Sequence, residues 1–205
     1  CIEVNTTGLV GHDDAILQAQ IRRLLADKKS DALVENFVTQ WLNLRLLDGA
    51  APDPQVFPQF DAELKSAMRR ETELFAAAII REDKSILEFL NGRFTFVNER
   101  LANHYGIENI RGDEFQRVNF TDNRRTGVLT QASILTLTSN PGRTSPVKRG
   151  KWILENILGS PPPDPPPDAP DLEATQKSQP NLSLGKQLEI HRQNAACASC
   201  HKVMD

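Results

Sequence analysis

Seven of the chain's thirteen prolines fall within residues 160–170, mostly in the runs Pro161-Pro162-Pro163 and Pro165-Pro166-Pro167. Proline fixes φ and donates no backbone hydrogen bond, so neither a helix nor a sheet interior can pass through this stretch. Polyproline II is the conformation left to it. The run therefore divides the 205-residue chain into a long body and a short tail. The polar residues 173–181 prolong the division, which reads as an extended spacer and not as packed core.

The body reads as helices. From Asp13, an acidic start leads into Leu17, Ile21, Leu24 and Leu25 on one helical face, ending near Lys28-Lys29. Ser30 is placed to cap a second helix carrying Leu33, Val34, Phe37, Trp41, Leu44 and Leu47, with Gly49 just past its end. Pro52, Pro54 and Pro58 then impose an extended connection. Asp61 caps the longest helix, on which Leu64, Met68, Phe75 and Ile79 recur at helical spacing among the charges Lys65, Arg69, Arg70, Glu71 and Glu73. Shorter helices are expected at 86–90 and at 96–105, the latter capped by Thr95 or Asn98 and closed by Gly106. Residues 118–123 suit a short strand or an irregular loop. In 127–138 helix and strand compete, and helix is favoured. Ser145 followed by Pro146 opens a helix with Val147, Ile153, Leu154 and Ile157 on its apolar face, up to Gly159. A last helix from Leu184 to about Asn194 delivers the tail to its end. No internal repeat is present.

No stretch approaches the roughly 18 uninterrupted apolar residues of a membrane-spanning helix. A formal charge of −3, with basic residues scattered or merely paired, argues against a nucleic-acid surface. The chain opens on Cys1 with no basic and then apolar leader before it. Cys1 is read as the beginning of a fragment, with the acylated first residue of a lipoprotein as the alternative. The glycosylation sequons at Asn5, Asn119 and Asn181 are short matches and carry little weight. The sequence 140–144 is read as a loop before a capped helix, with anion binding at the helix start as the less favoured reading.

The chemistry is concentrated in Cys197-Ala198-Ser199-Cys200-His201. Two thiols spaced this way can add to the two vinyl groups of one porphyrin, and the adjoining imidazole can ligate its iron. Cys197 and Cys200 are thus the candidate thioether residues for one covalent haem c, and His201 is the candidate proximal iron ligand. A redox-active cysteine pair would suit a βαβ context, whereas the preceding sequence is helical. A zinc site would need two further ligands, and no second Cys-x-x-Cys or paired-histidine motif exists. Met204 follows His201 by three residues and lies on the same side. For a second axial ligand the candidates are His191, His104, His12 and Met68. His191 leads them at ten residues from His201, although a lone histidine on a helix face is more often simply exposed. Met68, on the stripe of the long helix, is better read as core.

Several segments resemble the planctomycete cytochrome c proteins of unknown function. Residues 22–27 (Arg-Arg-Leu-Leu-Ala-Asp), 37–42 (Phe-Val-Thr-Gln-Trp-Leu), 70–75 (Arg-Glu-Thr-Glu-Leu-Phe) and 96–106 resemble domain of unknown function 1592. Residues 127–133, 144–152, the proline run and the closing 191–201 resemble domain of unknown function 1588. The resemblance implies an exported protein of the periplasm or cell envelope, usually larger than this chain, and it brings no known reaction.

The expectation is a mostly α protein: a helical, bundle-like body to Gly159, the spacer, and a short C-terminal helix ending in the Cys-x-x-Cys-His motif. Residues 1–123 form the segment resembling the first family and 124–205 the second, with the spacer at 160–170 and the attachment motif at 197–201. The leading function is electron transfer through one covalent haem, which makes the chain an electron carrier more than a catalyst. The expected partner is a redox protein or a larger envelope electron-transfer complex, with any membrane association running through partners. The alternative is a non-redox envelope scaffold whose cysteines form a disulfide or stay free. A weaker third reading has the haem draw electrons from a dehydrogenase.

Overall fold

The computed structural model describes residues 14–122, 124–163, 181–193 and positions 198, 201 and 204. Within them the protein is mostly helical. The spacer beyond Pro163 lies outside the described residues, and so do Cys197 and Cys200.

Helix α1 (Asp14–Ala26) forms where the apolar spacing places it, but no residue on it is buried. Ile16, Leu17, Ile21 and Leu24 all face water. The expected second helix starts without the expected cap, because the Ser30 hydroxyl donates to the Leu25 carbonyl instead. It then runs as a π-helical stretch (Leu33–Val38) into α2 (Thr39–Trp41) and breaks. Asn43 adopts a left-handed conformation (φ 54°), which asparagine tolerates better than most residues. A 3₁₀ stretch (Leu44–Gly49) follows the break. That offset turns both Leu44 and Leu47 fully inward.

Helix α3 (Ala62–Arg81) is the axle of the fold. The Asp61 carboxylate accepts from the Leu64 amide (2.7 Å), so the cap stands where the sequence placed it. The C-terminal half of its inward stripe supplies Phe75 and Ile79 to a first core cluster with Val34, Leu42, Phe89, Phe94 and Trp152. The Phe75 and Phe94 rings lie 4.8 Å apart, and Trp41 meets Phe89 edge-on at 5.1 Å. The N-terminal half of the same stripe supplies Leu64 and Met68 to a second cluster with Leu47, Val97, Leu101 and Ala132. Burial of this apolar surface is the main drive to fold.

Helix α4 (Glu88–Asn91) is a single turn. The expectation of a helix from Phe96 needs correction. Residues Phe94–Val97 form strand β1, and α5 (Glu99–Tyr105) begins only after Asn98, whose side chain accepts from the Leu101 amide (3.0 Å). β1 pairs antiparallel with β2 (Gln116–Asn119), Phe94 opposite Asn119 and Val97 opposite Gln116. Arg117 on β2 lies 4.1 Å over the Phe94 ring and bonds Glu82, which ties the ribbon to the end of α3. The Glu82 carboxyl is held below its ordinary range by that hydrogen bond.

Gly127 carries the chain back under α4 with φ 56° and ψ −173°. A Cβ at this position would lie 2.5 Å from the Leu90 carbonyl, so only glycine fits. After a 3₁₀ turn (Val128–Thr130) comes α6 (Ala132–Leu137), then a small hairpin of β3 (Ser139–Asn140) and β4 (Arg143–Thr144). Helix α7 (Pro146–Asn156) begins at the expected Ser145 cap, where the hydroxyl accepts from the Lys148 amide (3.3 Å). Two tryptophans fix α7 on the body: Trp152 Nε1 donates to Leu42 O (3.3 Å) and Trp41 Nε1 to Asn156 O (2.5 Å). Ser145→Ala is expected to lower stability by about 1 kcal/mol, read as a shifted urea midpoint at unchanged slope. Beyond the spacer, α8 (Leu184–His191) is capped by Ser183 and buries Gln187 and Leu188. Among the described residues, no helix is long and apolar enough to cross a membrane.

Candidate functional site

His201 sits in a helical conformation and is only 7% exposed, so the imidazole is withdrawn from water. Three residues on, the Met204 backbone lies against Gly150 in the middle of α7. A Cβ on Gly150 would stand 2.6 Å from the Met204 carbonyl carbon and 2.9 Å from its Cα. Backbone meets backbone at this point, and it is the absence of a side chain at 150 that permits it. The contact docks the end of the tail onto the helix that the tryptophans hold to the body. His191 closes α8, but its side chain lies outside the described residues, as does His12. The donor set fits covalent haem attachment: two thiols in Cys-x-x-Cys spacing, and next to them an imidazole whose surroundings are already dry. Among the described residues, no three of His, Cys, Asp and Glu gather into a group that could hold a metal ion.

The other two candidate ligands lie elsewhere. Met68 and His104 both line a cleft of about 690 Å³ on the body, walled by the end of the 3₁₀ stretch, α3, α5, α6 and the β3–β4 hairpin. His201 is not among its lining residues. Met68 is 2% exposed and receives a weak contact from the Thr136 hydroxyl (3.7 Å to sulfur), so its place is in the core. His104 is on the rim, its pKa lowered by partial burial and by the positive charges of Arg125 and Arg100.

Beside the cleft lies a buried polar group that the sequence reading passed over. Glu71, on α3, is 1% exposed. Its Oε1 accepts from the Thr95 hydroxyl (2.6 Å) and its Oε2 from the Tyr105 hydroxyl (2.6 Å). Tyr105 in turn accepts from the Ala132 amide (2.8 Å), so one chain of bonds joins α3, β1, α5 and α6. Burial drives the Glu71 carboxyl up to about 7, against the opposing pull of those two hydroxyls and of Arg125. The Tyr105 phenol is raised well above its ordinary value by burial and by the Glu71 charge. One residue on, Thr72 bonds Gln131 Oε1 and Ser133 Oγ, both at 2.7 Å. Gln131 Nε2 is buried without a partner among the described residues. The available signal was position: Glu71 falls on the inward stripe between Met68 and Phe75, three residues after one and four before the other.

Comparison with known proteins yields two family matches. Residues 8–107 match the family model PSD4, a protein of unknown function (DUF1592), and residues 125–205 match PSCyt3, a protein of unknown function (DUF1588). Searches of curated proteins and of solved structures returned no match. The order of the two segments and the residues that carry them agree with the resemblance, and the chain belongs to the proteins in which DUF1592 is followed by DUF1588.

Proposed function

We propose that the chain is the haem-bearing part of an exported, periplasmic or envelope c-type cytochrome that passes electrons to a redox protein or a larger envelope complex. The observation that carries this reading is the Cys-x-x-Cys-His motif at 197–201, inside the segment matched by PSCyt3, with His201 buried. The name PSCyt3 points the same way. Cys197 and Cys200 would hold the group through thioethers, and His201 would ligate its iron from the proximal side. When bound, haem supplies one-electron chemistry. The polypeptide's part is to keep His201 dry and to hold its turn against α7 through Gly150. His191 is the proposed distal ligand. The two family segments, 1–123 and 124–205, are proposed as its sequence domains.

The chain matured in a host with cytochrome-assembly machinery is expected to carry the mass of one haem and to give a pyridine haemochrome spectrum of the c type. Cys197→Ala is expected to leave a single thioether and a shifted haemochrome band. Cys197→Ala with Cys200→Ala is expected to leave none. An unmodified mass from that host sinks the reading. The alternative, a non-redox envelope scaffold, is favoured by one observation, the uncovered apolar face of α1. Partner association that survives Cys197→Ala in unmodified protein supports it.

A further inference from the structure

His201 does not line the cleft on the body, and nothing in the proposed electron transfer uses it. Where it meets water its lining is largely apolar: Leu135 from α6 and Phe60 from the proline-containing connection are partly exposed, with the buried Leu64 and Met68 of α3 behind them. Leu46 and Phe57, at 64% and 36% exposed, stand on its lining as well. A volume of about 690 Å³ lies within the range of small-molecule pockets. Apolar surface held open to water at this scale is unfavourable by roughly 25 cal/mol for each Å², which an apolar occupant would recover.

The charges on the lining are of one sign. Arg125, Arg143 and Arg149 all line the cleft, and among its described residues there is no Asp or Glu. Arg149 is engaged by hydroxyls, its Nε on Thr138 Oγ1 (3.4 Å) and its Nη2 on Thr144 Oγ1 (3.3 Å). Arg125 lies 3.9 Å over the Tyr105 ring and donates to the Thr130 carbonyl (3.0 Å). Glu71 is within electrostatic reach of Arg125 but does not line the cleft. Among the described residues Arg149 is thus positioned by neutral groups alone, and Arg125 by a ring and a carbonyl with the buried Glu71 as its electrostatic neighbour. A guanidinium's planar fork matches a carboxylate in two parallel bonds, a geometry an ammonium lacks. A polyanion such as nucleic acid would want a basic surface and stacking faces, which this apolar cleft in an acidic chain does not offer.

From this combination we infer that the cleft binds an organic carboxylate with an apolar body, the chain or ring on Phe57, Phe60 and Leu135 and the carboxylate on the arginine side. The inference stands whether or not the tail carries haem. Arg149 adjoins Gly150, so one turn of α7 faces the cleft with one residue and seats the tail with the next.

Calorimetric titration of the full chain with dodecanoate tests it, with dodecyltrimethylammonium and dodecanol as the matched cationic and neutral probes. Dodecanoate is expected to bind saturably at one site, and the cation at least tenfold more weakly. Arg149→Gln is expected to weaken dodecanoate about tenfold while changing dodecanol less than twofold. Ala51→Trp fills the cleft from an exposed position that lines it, and is expected to abolish binding of both without disturbing the circular dichroism spectrum. Absence of saturable dodecanoate binding overturns the inference. So does equal affinity for anion and cation, or binding that survives Ala51→Trp.

Discussion

Glu71→Gln is expected to abolish a fall in stability that the unaltered protein undergoes as pH rises from about 4.5 to about 7. Glu71 is buried among Thr95, Tyr105 and the aromatic core, and its carboxyl is raised from 4.5 to about 7 chiefly by loss of hydration. Below 4.5 the carboxyl is protonated in both folded and unfolded chains, and its contribution to stability is fully present. Between 4.5 and 7 the unfolded chain has released the proton while the folded chain still holds it. The folded state then binds more protons, so stability declines with rising pH. Above 7 the carboxylate is ionised in both states and the decline stops. The span corresponds to a loss of about 3 kcal/mol. Glutamine keeps the shape, accepts from one hydroxyl and donates to the other, and has no proton to exchange. Urea unfolding at several pH values checks this: the difference between the two proteins should shift by about 3 kcal/mol across the window and stay flat outside it. Parallel profiles would mean that Glu71 is not the titrating group.

Such a carboxyl is unusual in a core because an unpaired buried charge is so unfavourable. Here the neutral form is what the fold accommodates at mildly acid pH. The network it heads meets four elements at one point, and Tyr105 carries the link onward to the cleft, whose lining it joins. A change of charge at Glu71 therefore acts on the ring over which Arg125 lies.

What the sequence revealed was whatever local spacing encodes. Asp61, Asn98 and Ser145 announce their helices because a cap is a contact within four residues. The stripe of α3 is legible because its period repeats over 20 residues. What escaped depends on partners far along the chain. Strand β1 is four residues long, and its pairing with Gln116–Asn119 leaves no mark on its own composition. Phe96 and Val97 therefore passed as the start of the helix that follows. The break at Asn43 is fixed by tertiary bonds, since its side chain donates to Asn156 Oδ1 (3.0 Å), more than a hundred residues away. For α1 the periodicity identified a helix, but periodicity says nothing about whether anything covers the apolar face. The Cys-x-x-Cys-His motif is visible in the sequence because its residues are contiguous. The cleft was not, since its lining arrives from at least five segments, and Glu71 read as one more surface charge on a charged helix.

Gly150→Val is expected to separate the tail from the body while leaving the body folded. Glycine inside a helix is about 1 kcal/mol less favourable than alanine, so propensity alone predicts that a side chain at 150 strengthens α7. Geometry predicts the reverse for the tail. The added Cβ would stand 2.6 Å from the Met204 carbonyl carbon, and the obstructing atoms are backbone, which cannot swing aside like the end of a long side chain. The two effects fall on different parts of the molecule and can be read separately. Amide hydrogen exchange of a peptide spanning 198–204 should accelerate at least tenfold in Gly150→Val, with Gly150→Ala intermediate. Peptides from α3 and α7 should exchange no faster than before, since Trp152 and Trp41 still clamp α7 to the body. His201, now 7% exposed, should become reactive toward diethylpyrocarbonate in the unmodified chain. A tail peptide that keeps its protection in Gly150→Val shows that the seam at Gly150 does not seat it. Accelerated exchange across α7 as well assigns glycine instead to the packing of the helix itself.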